Sequence, residues 1–334
     1  MNYRRLGRTN LMVSELCLGT MMFGDQTDDS EAAAILDHCR EQGVNFVDTA
    51  DVYTFGASEL MLGSLIETDR HDWVLATKVG NPMSERRNQS RYSRKWLLQA
   101  LEDSLGRLRT DHVDIWYLHR HFDGTNYEET LRAIGDAIRA GKVRYWGISN
   151  FRGWQIADLV HMARELGLPA PAVCQPYYNL LNRQPEVEVL PACDAFGLGV
   201  APYSPVARGV LTGKYQPGGA PPEGTRAARG DRRIMQTEWR EESLRIAQQL
   251  KAHAEGRGIT LLQFAVAWLL ANGIVSSVIA GPKSLAQFSD YFAAVDYAWT
   301  EEDEKLVDEL VVPGHASTPG YHDPQYPFYG RRGR

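Results

Sequence analysis

Three apolar runs in this chain each end on a residue able to hold or move a proton. Asn45-Phe46-Val47 ends in Asp48, Val74-Leu75-Ala76-Thr77 in Lys78, and Trp116-Tyr117-Leu118 in His119. One polar residue at a strand end only marks where solvent begins. An acid, an amine and an imidazole on successive strand ends instead converge on one mouth, where each perturbs the others. Tyr53 follows Asp48 on the next loop, close enough for its hydroxyl to turn back over the rim and donate a proton. A phenol titrating near about 10 is a poor acid at neutral pH, so a neighbouring Lys78 is expected to favour the phenolate and lower that value. Asp48 would keep Lys78 charged and oriented, and His119 would hydrogen-bond a substrate carbonyl oxygen. Such a group polarises a C=O and supplies a proton but holds no reductant, so a hydride donor has to come from a cofactor.

Residues at strand ends need strands behind them. Short β-rich runs recur at Cys17 to Gly19, Asn45 to Asp48, Val74 to Lys78, Val113 to His119, Tyr145 to Asn150, Val173 to Tyr177, Gly199 to Tyr203 and Ser277 to Ala280. Segments of helical spacing separate them, such as Trp96, Ala100, Leu101, Leu105 and Leu108. The alternation predicts parallel strands joined by crossover helices, and eight such units predict an α/β fold of the (β/α)8 TIM-barrel type, with its chemistry at the C-terminal rim. Residues 1–312 are expected to form this single domain, with a last helix starting near Thr300, and residues 313–334 a Pro-, Gly- and Tyr-rich tail. Such a tail can lie across the barrel, meet another subunit or stay disordered. Gln216 to Gln236, rich in Gly, Pro and Arg, is expected to be a mobile loop able to close over a ligand.

A doubly wound sheet fits less well, because no strand is followed by a glycine fingerprint; Gly197-Leu198-Gly199-Val200-Ala201-Pro202 precedes a strand and carries proline in place of the third glycine. Gly135 to Lys142 and Gly209 to Lys214 also miss the phosphate-loop spacing. A net charge of -6 argues against nucleic-acid or membrane-surface binding and favours small-molecule partners. Cys17, Cys39, Cys174 and Cys193 are scattered and read as reduced thiols of a cytoplasmic protein, and Met1 to Thr9 lacks the apolar core of a secretory signal. His119 and His121 have no further ligand at a recognisable spacing, so no metal is expected. Asp48 with Asp51 is a poor glycosidase pair, since Lys78 would keep both ionised. Arg226, Arg229, Arg232 and Arg233 read as solvated loop charge near an anionic cofactor, and terminal Arg331, Arg332 and Arg334 carry no nucleic-acid signal. Met22, Phe23, Phe55, Phe122 and Phe151 are candidate walls of an apolar or aromatic substrate pocket.

The segments Asp48-Thr49-Ala50-Asp51-Val52-Tyr53, Thr77-Lys78, Leu118-His119-Arg120, Gly147-Ile148-Ser149-Asn150-Phe151, Pro202-Tyr203-Ser204-Pro205 and Leu211-Thr212-Gly213-Lys214-Tyr215 together resemble the aldo-keto reductase superfamily. The likeness runs in order from about Tyr3 to about Val311 and is greatest to bacterial reductases related to potassium-channel β subunits. It implies an NADPH-dependent reductase of aldehydes or ketones with a tetrad of Asp48, Tyr53, Lys78 and His119, Tyr53 being the general acid. It further implies that Ser149, Asn150 and Gln175 bond the nicotinamide amide and Tyr203 stacks on its ring, with Gly19, Thr20, Met21 and Asp48 among the cofactor contacts. Ser204, Pro205, Val206, Ala207, Gly209, Leu211 and Lys214 would follow the pyrophosphate. Gly281, Lys283, Ser284, Gln287 and Asp290 would form the adenosine end, where Lys283 and Ser284 favour NADPH while leaving NADH usable. Tyr291 stands where the family usually has asparagine, and Ser289 where an acid is common. On residues alone, the alternative to the phosphate role is a helix start with Ser284 as N-cap beside a solvated Lys283. The alternative function is a nucleotide-binding regulatory or redox-sensing module like a potassium-channel β subunit.

Overall fold

A computed structural model describes residues 1–327, so Arg331, Arg332 and Arg334 lie outside the described residues. An antiparallel hairpin of β1 (Tyr3–Arg5) and β2 (Met12–Ser14) comes first. Eight parallel strands follow: β3 (Leu16–Gly19), β4 (Phe46–Asp48), β5 (Val74–Val79), β6 (Val113–Leu118), β7 (Val143–Ser149), β8 (Val173–Gln175), β9 (Gly199–Val200) and β10 (Val278–Ala280). β10 pairs with β3, and the parallel bridges Val200 to Val275 and Tyr203 to Ile279 join the remaining edge, so the sheet closes into the (β/α)8 barrel.

The outer layer consists of α1 (Asp29–Gln42), α2 (Ala57–Ile66), α3 (Arg94–Leu108), α4 (Tyr127–Arg139), α5 (Gly153–Glu165) and α6 (Pro185–Phe196). Between β9 and β10 lie α7 (Arg232–Thr237), α8 (Glu241–Gly256) and α9 (Leu261–Ala271), and after β10 come α10 (Leu285–Phe292) and α11 (Glu301–Leu310). Several starts are written in the sequence as side-chain caps: Asp28 accepts from the Glu31 N–H, and Thr300 from that of Asp303.

Alternation along each strand divides the core in two. Leu16, Leu18, Val47, Leu75, Trp116, Leu118 and Ile148 face the helices, whereas Cys17, Phe46, Val74, Ala76, Ile115, Tyr117, Val173 and Ile279 fill the barrel. Leu6 and Val13 of the N-terminal segment pack with this inner group. Gly147 makes the filling possible, since a Cβ there would lie 2.7 Å from both the Tyr117 ring and Val173.

Strands β8 and β9 stop short of the expected Tyr177 and Tyr203. Pro176 and Pro202 lack the N–H that would continue the ladder, so both tyrosines join it only through isolated bridges. The expected loop at Gln216 to Gln236 ends in α7, whose N-cap Asp231 accepts from Arg233 and Ile234. The described part of the tail crosses the rim: Arg233 pairs with Asp323 at 2.6 Å, and the Arg240 guanidinium stacks 3.6 Å from the Tyr321 ring centre.

Candidate active site

The inward parity of Phe46, of Val74 and Ala76, and of Ile115 and Tyr117 carries on to Asp48, Lys78 and His119. A period of two thereby puts acid, amine and imidazole on the same inner wall. Tyr53 reaches them because Thr54 and Phe55 both adopt left-handed backbone, with φ of 46° and 51°, which turns the chain sharply. Lys78, fully buried, spends all three ammonium donors: on Asp48 Oδ1, on the Thr49 carbonyl at 2.8 Å and on the Tyr53 hydroxyl oxygen at 3.2 Å. The other oxygen of Asp48 accepts from Gln175 Nε2 at 2.9 Å. His119 sets its ring 5.9 Å from that of Tyr53 at 82°, and its buried Nδ1 has no hydrogen-bond partner among the described residues.

Burial lowers the affinity of Lys78 for its proton, but Asp48 and Tyr53 outweigh it and hold the amine above its ordinary range, as an ammonium. Burial pushes Asp48 up, and Lys78 offsets this only in part. Tyr53 departs from the sequence expectation: its pKa is raised, not lowered, because desolvation outweighs an ammonium already shared with Asp48. It is a proton-bearing phenol at neutral pH. His119 is pushed well below its ordinary range, first by burial and then by Lys78 and Arg120, which leaves a neutral imidazole.

The corner opens on a cavity of about 820 Å³. Of the expected residues, Gly19, Met21, Asp48, Tyr53, His119, Ser149, Asn150, Gln175, Tyr203, Ser204, Pro205, Val206, Gly209, Lys214, Gly281, Lys283, Gln287 and Asp290 line it. Several share one network: Ser149 donates to the Gln175 carbonyl at 2.8 Å, Asn150 Nδ2 to Ser149 at 2.9 Å, and Tyr203 to Asn150 Oδ1 at 2.8 Å. Lys78 lies behind the wall and contacts it through Asp48 and Tyr53. Thr20, Ala207, Leu211 and Ser284 are not brought to the wall: the first three are fully buried, Thr20 bonded to Asp48 O, and Ser284 caps α10 through the Gln287 N–H.

The expected substrate walls fare differently. Met22 lines the cavity, but Phe23 is fully buried in the core, Phe55 is 76% exposed, Phe122 packs on Tyr92, and Phe151 lines a neighbouring cavity. Aromatic type alone does not say which face of a loop a ring occupies. Residues missed from sequence include Asn81, Arg208, Thr225, Gln325 and Tyr326, whereas Arg226 and Arg233, read from sequence as loop charge near an anionic cofactor, also line the cavity. Arg226 and Arg229 are not simply solvated: both line the cavity, and they reach Met22 Sδ at 3.8 Å and Gln26 Oε1 at 3.2 Å across it.

At this end Lys214, Arg226, Arg229 and Lys283 face one cavity, and none forms a salt bridge among the described residues. Burial lowers the Lys214 pKa, and Lys283, Arg226 and Arg229 lower it further. Beside them the turn through Ser204, Ala207, Arg208 and Gly209 is held at φ of 56°, 48°, 51° and 98°, backbone strain of the kind that forms an anion-binding concavity. A Cβ on Gly209 would meet Lys214 Nζ at 3.0 Å. These donors fit an extended, multiply charged anion such as a dinucleotide, with Lys214, Arg226 and Lys283 available for its phosphates. No group of three metal-ligating side chains occurs among the described residues, and no described helix is long and apolar enough to cross a membrane.

Comparison with known proteins agrees with this geometry. The family model described as "Aldo/keto reductase family" matches residues 15–312. Two plant proteins named "Probable voltage-gated potassium channel subunit beta", from Oryza sativa subsp. japonica and Arabidopsis thaliana, are each 39% identical over 303 residues, covering 89% of this chain and 92% of theirs. A protein of Bacillus subtilis (strain 168) named "Uncharacterized oxidoreductase YrpG" is 35% identical over 330 residues, covering 96% of this chain and 98% of its own.

Proposed function

The chain belongs to the aldo/keto reductase family, whose members are oxidoreductases using nicotinamide cofactors, and from that premise we propose that it reduces aldehydes or ketones to alcohols with NADPH, Tyr53 donating the proton. The observation that carries this reading is the Tyr53 hydroxyl, which accepts from Lys78 and so keeps its own proton free for a carbonyl oxygen. A neutral His119 beside it can donate a hydrogen bond to the same oxygen without competing as a stronger acid. When bound, the nicotinamide supplies the hydride. As the proton leaves Tyr53, the phenolate is stabilised by the Lys78 ammonium, which Asp48 and the Thr49 carbonyl hold in place. Ser149, Asn150 and Gln175 would hold the nicotinamide amide, Tyr203 would stack on its ring, and Lys283 with Arg226 would favour the extra phosphate of NADPH over NADH.

A second reading, a nucleotide-binding regulatory module, is favoured by the names of the two plant relatives. Oxidation of NADPH with an aromatic aldehyde, followed by absorbance at high protein concentration, separates the two. Turnover with alcohol as product is expected, and tight NADPH binding without turnover would support the module instead.

A further inference from the structure

A second buried charge lies behind the cavity wall. Glu238, fully buried, follows directly on α7, downstream of the loop that brings Arg226 and Arg229 to the cavity. Its Oε1 accepts from Arg208 Nη1 at 2.7 Å and from the Tyr177 hydroxyl, and its Oε2 accepts from Thr237 Oγ1. Arg208 belongs to the left-handed turn after β9 and Tyr177 to the segment after β8, so one carboxylate ties three separate stretches of chain together. The Arg208 guanidinium lies 5.3 Å from the centre of the Tyr177 ring, and that ring lies 5.6 Å from the ring of Tyr203 at a tilt of 35°. Tyr203 in turn faces the main cavity and donates to Asn150 Oδ1 at 2.8 Å. Burial disfavours the charge on Arg208, but Glu238 outweighs it and holds the guanidinium above its ordinary range. Without the carboxylate, Arg208 would lose the partner that fixes it over Tyr177.

We propose that Glu238 is a positioning residue for the nicotinamide: through Arg208 and Tyr177 it fixes the plane of Tyr203, the ring on which the nicotinamide would stack. The proposal rests on the carbonyl-reductase reading and adds to it the group that sets the angle of the stacked ring. A Tyr203 ring free to rock loses the aligned approach that hydride transfer needs. The phosphates, held by Lys214, Arg226 and Lys283, would keep their contacts.

Glu238→Gln keeps the shape of the side chain and an acceptor for Tyr177 but removes the charge that holds Arg208. Single-turnover reduction of 4-nitrobenzaldehyde by NADPH, with the full chain, should slow at least about tenfold. The calorimetric Kd for 2'-phospho-ADP-ribose, which lacks the nicotinamide, should stay within about twofold of the parent's. The fluorescence lifetime of bound NADPH, which lengthens as its nicotinamide is immobilised, should fall toward that of the free cofactor. Arg208→Met leaves Glu238 two hydroxyl donors and should give the same three results, so the test stands even where Glu238→Gln fails to fold. If Glu238 acts through Arg208, the two substitutions combined should be no slower than Arg208→Met alone. A rate and lifetime equal to the parent's, a Kd for 2'-phospho-ADP-ribose that rises as much as the rate falls, or losses that add in the double variant would overturn the proposal. A parent that reduces no aldehyde would overturn the reductase reading, and the lifetime and the Kd would then decide the role of Glu238 by themselves.

Discussion

At the Lys78 end of the cavity a fully buried ammonium has an acceptor for every proton; at the Lys214 end, cations face one another with no salt bridge among them. The first arrangement is complete in the protein alone, which suits groups that must hold a fixed geometry through a proton transfer. The second is complete only when an anion arrives, which suits a binding surface. The difference also has a structural basis, since Asp48, Lys78 and His119 lie at or next to the ends of barrel strands while Arg226 and Arg229 belong to a loop.

Removing one member from each end should separate these roles most clearly. Lys78→Met is expected to lower kcat for carbonyl reduction by about a thousandfold, and to cost about 3 kcal/mol of stability by leaving Asp48 buried and unpaired. Steady-state kinetics and urea unfolding check both. Lys214→Met should raise the Kd for NADPH about tenfold, with little loss of stability because a repelled cation is removed. Equal stability losses in the two variants would erase the contrast. Lys283→Ala should reduce the preference for NADPH over NADH by about tenfold, read as a ratio of kcat/KM values. The smallest effect concerns protons. Since the folded pKa of His119 is depressed, its imidazole should not titrate between about pH 6 and 8 in NMR spectra. The stability tied to its neutral form is present above the unfolded value and is lost as pH falls toward the folded one. A His119 resonance titrating at pH 6.5 would contradict the assignment.

The two ends also differ in how far the sequence revealed them. Strands of alternating apolar residues ending in Asp48, Lys78 and His119 are legible because a period of two fixes both the barrel and the side of it each residue faces. The direction of the Tyr53 pKa was not legible, since it depends on how much solvent the folded corner excludes. The contacts of the Arg226 loop were hidden for another reason: its composition points to a charged loop near a ligand but not to its partners, and Met22 is 204 residues away. Tyr326 was hidden likewise, because the tail is fixed by Arg152 and by the Arg233 to Asp323 pair, far from it in sequence. The N-terminal hairpin escaped notice because Tyr3, Arg4 and Arg5 read as a polar leader, and only Leu6 and Val13 betray its inner face.

The proton-donor role of Tyr53 is tested most directly by Tyr53→Phe, with NADPH binding followed by calorimetry and single-turnover reduction of an aromatic aldehyde followed by absorbance. The predicted result is a Kd close to that of the parent and a reduction rate at least about a hundredfold lower. A variant that binds NADPH and reduces the aldehyde at the parent's rate would show that the proton comes from elsewhere.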